Sequence, residues 1–466
     1  MVDTPADTLC EQQALSATFP PQFLEFLQSN HINPNIYTMH KKLPRYVRIV
    51  QYAQRTSEEI QKLRLEVEAD AGCRVSKVPG VPGFLEISDQ SVSMSQINAS
   101  ACGDIVGMDV SSAIAALALS VSPGDNVLDL CCAPGAKLLF LAELLDASGA
   151  CESKRGSVTG VDIAAHRVAT CCKQIAKHAG HSRGHVRVFI EDGTTFSTLA
   201  PRDRWWDPNA VAAAAAVVAN ADGEAENSGR KPKSRRKKVV EPGKPWFASR
   251  PLSNWYSNSG TELYDRVLVD AECTHDGSLS HVQKYERWGL EKLETQVIGD
   301  NRPTSVPVLQ SKLLENGWRL LKVGGTLVYS TCSLSRYQNE YVVAGFLSRH
   351  GEDEACVEKI NVLDDIQCKG SITADDGSVA GGIVASSIWM PQTDVEWSEQ
   401  GLSDKRSLFE RMHNAARLDP MMSNTSGMFI ARMHKLKHSP QQPLEDEIVP
   451  LVALPLSARV HAHAHN

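Results

Sequence analysis

The sequence predicts an α/β protein whose larger part is a doubly wound parallel sheet. Three observations predict it. From about residue 108 the chain alternates strand-length apolar runs with longer runs of helical character. The first of these runs passes through a loop of small residues straight into a helix, the turn used where a strand meets a ligand at a sheet's carboxyl edge. Successive runs end in an acid or a cysteine, so their polar ends gather on one edge.

The elements follow in order. PPQFLEFLQS (20–29) reads as a short helix. RTSEEIQKLRLEVEAD (55–70) reads as a second, with Ser57 as its N-cap and apolar residues at 60, 63 and 67. PGVPGFLEISD (79–89) supplies turns and a short strand. Residues 1–105 are therefore expected to hold a small α/β domain. MDVSSAIAALALSVSPGDNVLDLCCAPGAK (108–137) is a helix, a Pro-Gly turn, a buried strand over 127–131 and a loop. KLLFLAELLDA continues as a helix; SVTGVDI is a strand, AAHRVATCCKQIAKHAG a helix and HVRVFIED a third strand. The rhythm breaks over 201–260, where an alanine run, ADGEAEN and KPKSRRKK read as a largely disordered insertion. It resumes with DRVLVDAEC (265–273), the amphipathic VLQSKLLENGWRLLK and the strand GGTLVYSTCS. A strand pair is expected near GGIVASSIWM and GMFIARMHK. Residues 437–466, ending in HAHAHN, read as a tail with no fixed geometry for a metal.

Composition narrows the class. At 466 residues the chain has room for two or three domains, and its 42% apolar content is that of a globular protein. No run of about 18 apolar residues occurs, so no membrane span is expected. The acidic start MVDTPADTLCEQQ argues against a secretory signal. The net charge of −7 means that a polyanionic partner would be met by local basic patches, of which HKKLPRYVR (40–48) and KPKSRRKK (231–238) are candidates. The 12 cysteines include no CxxC and are too sparse for a disulfide scaffold. They read as reduced thiols in an intracellular setting, with no metal site expected.

A nucleotide-type cofactor suits the polar edge. The loop from Asp129 through Cys131, Cys132, Ala133, Pro134 and Gly135 to Lys137 lets backbone N–H groups approach a ligand. GxGxxG is absent, which disfavours a nicotinamide-dependent oxidoreductase. Asp162 ends the next strand, where a carboxylate faces ribose hydroxyls. Glu191 and Asp192 end the third, where an acid can accept from an adenine amine.

Two further strands end in cysteine, at Asp270-Ala-Glu-Cys273 and at Thr331-Cys332-Ser333. This set suits one chemistry. Carbon 5 of cytosine is a poor nucleophile, but a thiolate added to carbon 6 makes the ring an enamine that can attack a methyl sulfonium. An acid at ring nitrogen 3 must stabilise the change, and Asp270 is placed for it. A second thiol or another base must then remove the carbon 5 proton.

LDLCCAPGAK, Asp162, the DAEC loop and YSTCS together resemble the Fmu/Sun family of RNA cytosine-5 methyltransferases. GMDVSS (107–112), Asn339-Glu340, RLDP (417–420) and SGMFIARMHK (426–435) resemble its flanking motifs. The resemblance implies a Rossmann-like S-adenosylmethionine-dependent methyltransferase domain over 106–436, behind a small N-terminal α/β domain that binds RNA. It implies Cys332 as nucleophile and Cys273 as the release cysteine. It implies cofactor contacts from Cys131, Cys132, Ala133, Pro134, Gly135, Lys137, Asp162, Arg167, Asp192 and Asp270. The expected partner is ribosomal or transfer RNA, the expected state a monomer, and the expected compartment intracellular: nucleus, nucleolus, cytoplasm or mitochondrion.

The chain departs from the family pattern at Cys132, where the family has Ala, at Ala136 (Gly), at Thr274 (Ser) and at Glu272 (Pro). A carboxylate beside Cys273 is expected to raise that thiol's pKa. The alternative that Glu272 keeps open is a catalytically inactive RNA-binding or assembly factor on the same fold.

Overall fold

The computed structural model describes residues 19–41, 43–146, 156–178, 186–201, 247–248, 262–299, 302–370, 383–391, 396 and 405–437. KPKSRRKK and the His-rich tail lie outside the described residues.

Two sheets organise the chain. The smaller is antiparallel throughout, in the order β2 (Val75–Lys77), β3 (Phe84–Ile87), β1 (Arg45–Ile49), β4 (Ile105–Gly107). The helix Ser57–Ala71 buries Ile60, Leu63 and Val67, one stripe at helical spacing, against Val47, Ile49, Leu85 and Ile87 of this sheet. Its N-cap is Thr56, not Ser57. The Thr56 hydroxyl accepts from Glu59 N at 3.2 Å while the Glu59 carboxylate accepts from Thr56 N at 2.7 Å. That reciprocal pair needs Thr at the cap and Glu three residues later, a spacing Ser57 lacks.

The larger sheet has ten strands. Along its main path they run β12 (Ala385–Ser387), β13 (Ala416–Leu418), β14 (Met428–Lys435), β10 (Leu321–Thr331), β9 (Tyr264–Asp270), β5 (Asn126–Asp129), β6 (Ser157–Asp162), β7 (Val186–Ile190), β8 (Phe247–Ala248). The tenth, β11 (Ala355–Glu358), also pairs with β14. The five central strands are parallel. The chain steps outward from β5 to β7, then crosses back to β9, so the strand order reverses between β5 and β9. A crevice opens outside the carboxyl ends at such a reversal.

Both faces of the parallel strands are covered, as a doubly wound sheet requires. On one face Val127, Val158, Val188 and Leu268 pack with the helices Val110–Leu117, Ala136–Asp146 and Ala165–His178. On the other, Leu128, Val161, Phe189 and Val269 pack with Arg302–Leu320 and Glu340–Arg349. Among the described residues no helix is long and apolar enough to cross a membrane.

Three expectations are corrected. Phe247–Ala248, inside the stretch read as insertion, pairs with β7 as an edge strand, and Phe247 packs on the core. The segment GGIVASSIWM does not pair with GMFIARMHK. Its strand β12 pairs with β13, and β13 with β14. Of the 40–48 run, the side chains at 40–42 lie outside the described residues, and Arg45 and Arg48 are both engaged within the protein. Arg48 is 1% exposed and ion-paired with Glu143 of the helix Ala136–Asp146, and Arg45 donates to Gln90 O at 2.9 Å. Arg48 points inward because β1 is a central strand, with one face against the large domain; its guanidinium lies 5.1 Å over the Phe140 ring.

Candidate active site

The site gathers at the carboxyl ends of β5, β6, β7, β9 and β10. The loop after β5 is pinned between two strands: Leu130 N donates to Leu268 O at 3.0 Å and Cys132 N to Val161 O at 2.9 Å. Gly135 has φ +110°, and a Cβ there would stand 2.8 Å from Cys171 Sγ, so glycine is required where the loop presses on the helix Ala165–His178. Cys132, in place of the family's Ala, is accommodated by Gly160, whose missing side chain leaves room for its Sγ. Cys131 is half-buried, and burial pushes its thiol well above the ordinary range. Arg167 reaches back across the loop, donating to Ala133 O at 2.7 Å and lying 3.4 Å from the buried Asp162 carboxylate. The other Asp162 oxygen accepts from Ala164 N at 3.0 Å.

Asp270, at the end of β9, is held by Lys137 Nζ at 2.8 Å and by the Ser330 hydroxyl at 2.8 Å. Burial opposes the Lys137 charge, but Asp270 outweighs it and the ammonium's pKa rises. Asp129 lies fully buried behind them. Burial first, then the Asp270 charge, push its carboxyl up to about 8. Asp192 is exposed and accepts from Thr194 N and Oγ1, both at 2.8 Å, two residues beyond Ile190, the register partner of Asp162.

The two cysteines meet. Cys273 Sγ and Cys332 Sγ are 3.3 Å apart. His275 Nδ1 lies 3.0 Å from Cys332 Sγ and 3.5 Å from Cys273 Sγ. Two thiolates at that distance repel, so the pair carries one anion. Hydrogen bonding from Cys332, opposed by burial and helped by His275, draws the Cys273 thiol down to about 5; the same partnership pushes Cys332 well up. The shared anion in turn raises His275 to about 9, with Cys273 the largest cause.

The expectation that Glu272 raises the Cys273 pKa is therefore corrected. The Glu272 carboxylate turns toward Arg167 at 3.7 Å and Arg302 at 3.6 Å, and the imidazolium outweighs it. A buried clasp fixes the two loops. Asp276, fully buried, accepts from Ser333 Oγ at 2.7 Å, from Leu334 N at 2.8 Å and from Thr274 Oγ1. Gln338 accepts from Thr274 N at 3.1 Å and donates to Thr274 Oγ1 at 2.8 Å.

Cys273, Cys332, Asp270, Lys137, Asp162, Arg167 and the loop 131–137 thus come to one crevice, with Asp192 on its β7 side. His275, Asp276, Gln338 and Arg302 were not singled out from sequence. Only His275 left a signal, a Cys-x-His spacing from Cys273. The donor set fits an S-adenosyl nucleoside: carboxylates end three adjacent strands, and a loop of small residues turning at Gly135 lies beside them.

The chain is similar to several known methyltransferases. Residues 248–434 match the family model of the 16S rRNA methyltransferase RsmB/F. The 5-cytosine rRNA methyltransferase NSUN4 of Bos taurus is 32% identical over 241 residues, which is 51% of this chain and 43% of the relative. Ribosomal RNA small subunit methyltransferase B of Pseudomonas syringae pv. tomato is 23% identical over 348 residues, 72% of this chain and 54% of the relative. The chain spans about half the length of these curated relatives. The crystal structure of PH0851 shares the fold with a TM-score of 0.55 at 20% identity, covering 93% of this chain and 69% of that one. NSun6 from Pyrococcus horikoshii with SFG aligns with a TM-score of 0.50 at 15% identity, covering 90% and 99%. The fold is thus the Rossmann-like α/β fold of these methyltransferases, and over residues 248–434 the chain is similar to the RsmB/F methyltransferases.

Proposed function

We propose that this protein methylates carbon 5 of a cytosine in RNA through a covalent adduct at Cys332, with S-adenosylmethionine as donor. The observation that carries the reading is the pair of thiols 3.3 Å apart at the ends of neighbouring parallel strands, beside Asp270. The names of the relatives, rRNA and tRNA cytosine-5 methyltransferases, support ribosomal or transfer RNA as the substrate class. An intracellular setting fits both an RNA substrate and a working pair of free thiols.

In this reading S-adenosylmethionine supplies, when bound, an electrophilic methyl group. The 131–137 loop holds it through backbone N–H groups, Asp162 through the ribose hydroxyls and Asp192 through the adenine amine. Lys137 keeps the Asp270 carboxylate aimed at the crevice, where it accepts a hydrogen bond from cytosine nitrogen 3, which takes up a proton from solvent as Cys332 adds and returns it on elimination. His275 holds the anion of the thiol pair. The Cys332 thiol passes its proton to the Cys273 thiolate 3.3 Å away and adds to carbon 6 as the thiolate, forming an S–C bond and leaving carbon 5 nucleophilic. Once carbon 5 carries the methyl group, Cys273, its own proton lost to solvent, accepts the carbon 5 proton. The S–C bond then breaks and the Cys332 thiolate returns. The pairing of Glu272 with two arginines favours this enzymatic reading over an inactive assembly factor.

The test is a denaturing gel of the variants with labelled RNA and S-adenosylmethionine. Cys332→Ala should abolish methylation and any covalent complex. Cys273→Ala should accumulate the complex, because attack precedes proton removal. Accumulation in Glu272→Gln instead would move the base role to Glu272. An adduct persisting in Cys332→Ala would overturn the mechanism.

A further inference from the structure

We infer that Cys273, His275 and Cys332 form a binding site for a thiophilic divalent cation, Zn²⁺ above all, whose occupancy shuts the active site. Metal binding needs only the three ligands. The inhibitory consequence rests on the function proposed above.

The ligand triangle is close to one face of a zinc tetrahedron. Its edges are 3.3 Å between the sulfurs, and 3.0 and 3.5 Å from Nδ1 to each sulfur. Bond lengths of about 2.3 Å to sulfur and about 2.0 Å to nitrogen set such edges at about 3.8 and about 3.5 Å. The sulfur–sulfur edge and the edge from Nδ1 to Cys332 Sγ must each widen by about half an ångström, which rotation of the Cys332 side chain can supply. All three ligand atoms lie within 4.8 Å of one another, and no other such grouping of His, Cys, Asp and Glu occurs among the described residues.

The triangle is also preformed. Asp276 and Gln338 fix the loops that carry it, and His275 is held at φ 57°, a conformation a non-glycine residue rarely adopts. Two sulfurs and an imidazole are soft ligands that select zinc over magnesium or calcium. Cys273 is buried, while Cys332 and His275 are half-buried, so the fourth vertex is left to water. A cation here takes the lone pair with which Cys332 would attack carbon 6. Metal and RNA adduct therefore exclude each other.

The probe is Co²⁺, then Zn²⁺, added to the full chain with His461, His463 and His465 changed to Ala, so that the tail does not compete. One Co²⁺ should bind per chain, with thiolate-to-cobalt charge-transfer absorption and the intense visible bands of a tetrahedral site, and Zn²⁺ should bleach both. His275→Gln and Cys273→Ser should each weaken binding by more than the roughly 10–100-fold that loss of a supporting contact costs. Zn²⁺ should abolish the RNA adduct, and a chelator should restore it. Absent thiolate bands, or bands that survive both substitutions, overturn the site, and so does adduct formation undiminished at saturating Zn²⁺. Should the bands appear as expected while the metal-free protein forms no adduct with any RNA, the methyltransferase reading fails and the metal site stands.

Discussion

His275 follows Cys273 by two residues, at φ 57°, with its imidazole facing both thiols. A left-handed conformation costs a residue with a Cβ about 1–3 kcal/mol, and such strain persists where the surroundings impose it. Here the return is a charge: an imidazolium beside one thiolate. The thiol at about 5 and the imidazole at about 9 bracket the range in which both are charged. Alkylation by iodoacetamide, followed at Cys273 and Cys332 by mass spectrometry, should therefore begin as pH rises through about 5. In His275→Gln the onset should move up part of the way toward the ordinary thiol range, about 8.5, because the Cys332 hydrogen bond remains. An unchanged onset would show that His275 does not hold the anion.

Among the elements, β5 carries a second perturbed group. The Asp129 carboxyl is pushed up to about 8 by burial, against an ordinary value of 3.8. Between those values the folded protein keeps a proton that the unfolded chain has lost, so this group lowers stability as pH rises across that window. Asp129→Asn should raise stability by up to about 4 kcal/mol at pH 7, and the gain should vanish near pH 4. Urea melts at the two pH values check it, and an equal effect at both would show an ionised Asp129. Strands such as β5 and the second half of β9 were legible in the sequence because both their faces are buried, which leaves a short apolar run, Val127-Leu128 or Val267-Leu268-Val269, ending in an acid. The 2-residue β8 and 3-residue β12 left no comparable pattern, since their pairing is decided by distant neighbours. The meeting of Cys332 with His275 spans 57 residues, and no local spacing encodes it. No metal site was expected for the same reason: the nearby ligands come from two loops. The Arg48 error has another cause. Charge in a basic run reads as surface, and only the central place of β1 shows which residues turn inward.

For the molecule as a whole, Arg48 and Glu143 join the small sheet to the large one. Both are buried, and the shared Glu143 oxygen also accepts from Gln51 N at 2.9 Å. Removing one partner strands a buried charge, so Arg48→Ala should cost about 3–5 kcal/mol, whereas Arg48→Met with Glu143→Leu should cost much less. Equilibrium denaturation of the three proteins decides it; equal losses would show that packing rather than charge governs the junction. The family match over 248–434 takes in both cysteine loops but begins after the cofactor loop, so it covers one half of the crevice. The Asp276 clasp makes those two loops a single inheritable part. Its carboxylate belongs to one loop, and the Ser333 hydroxyl and Leu334 amide that it binds belong to the other. Anyone grafting the Cys273 loop of a relative into this scaffold must bring the Cys332 loop with it. A graft of one alone would strand a buried carboxylate or leave its donors unmet, and would lose the spacing between the sulfurs long before it lost the fold.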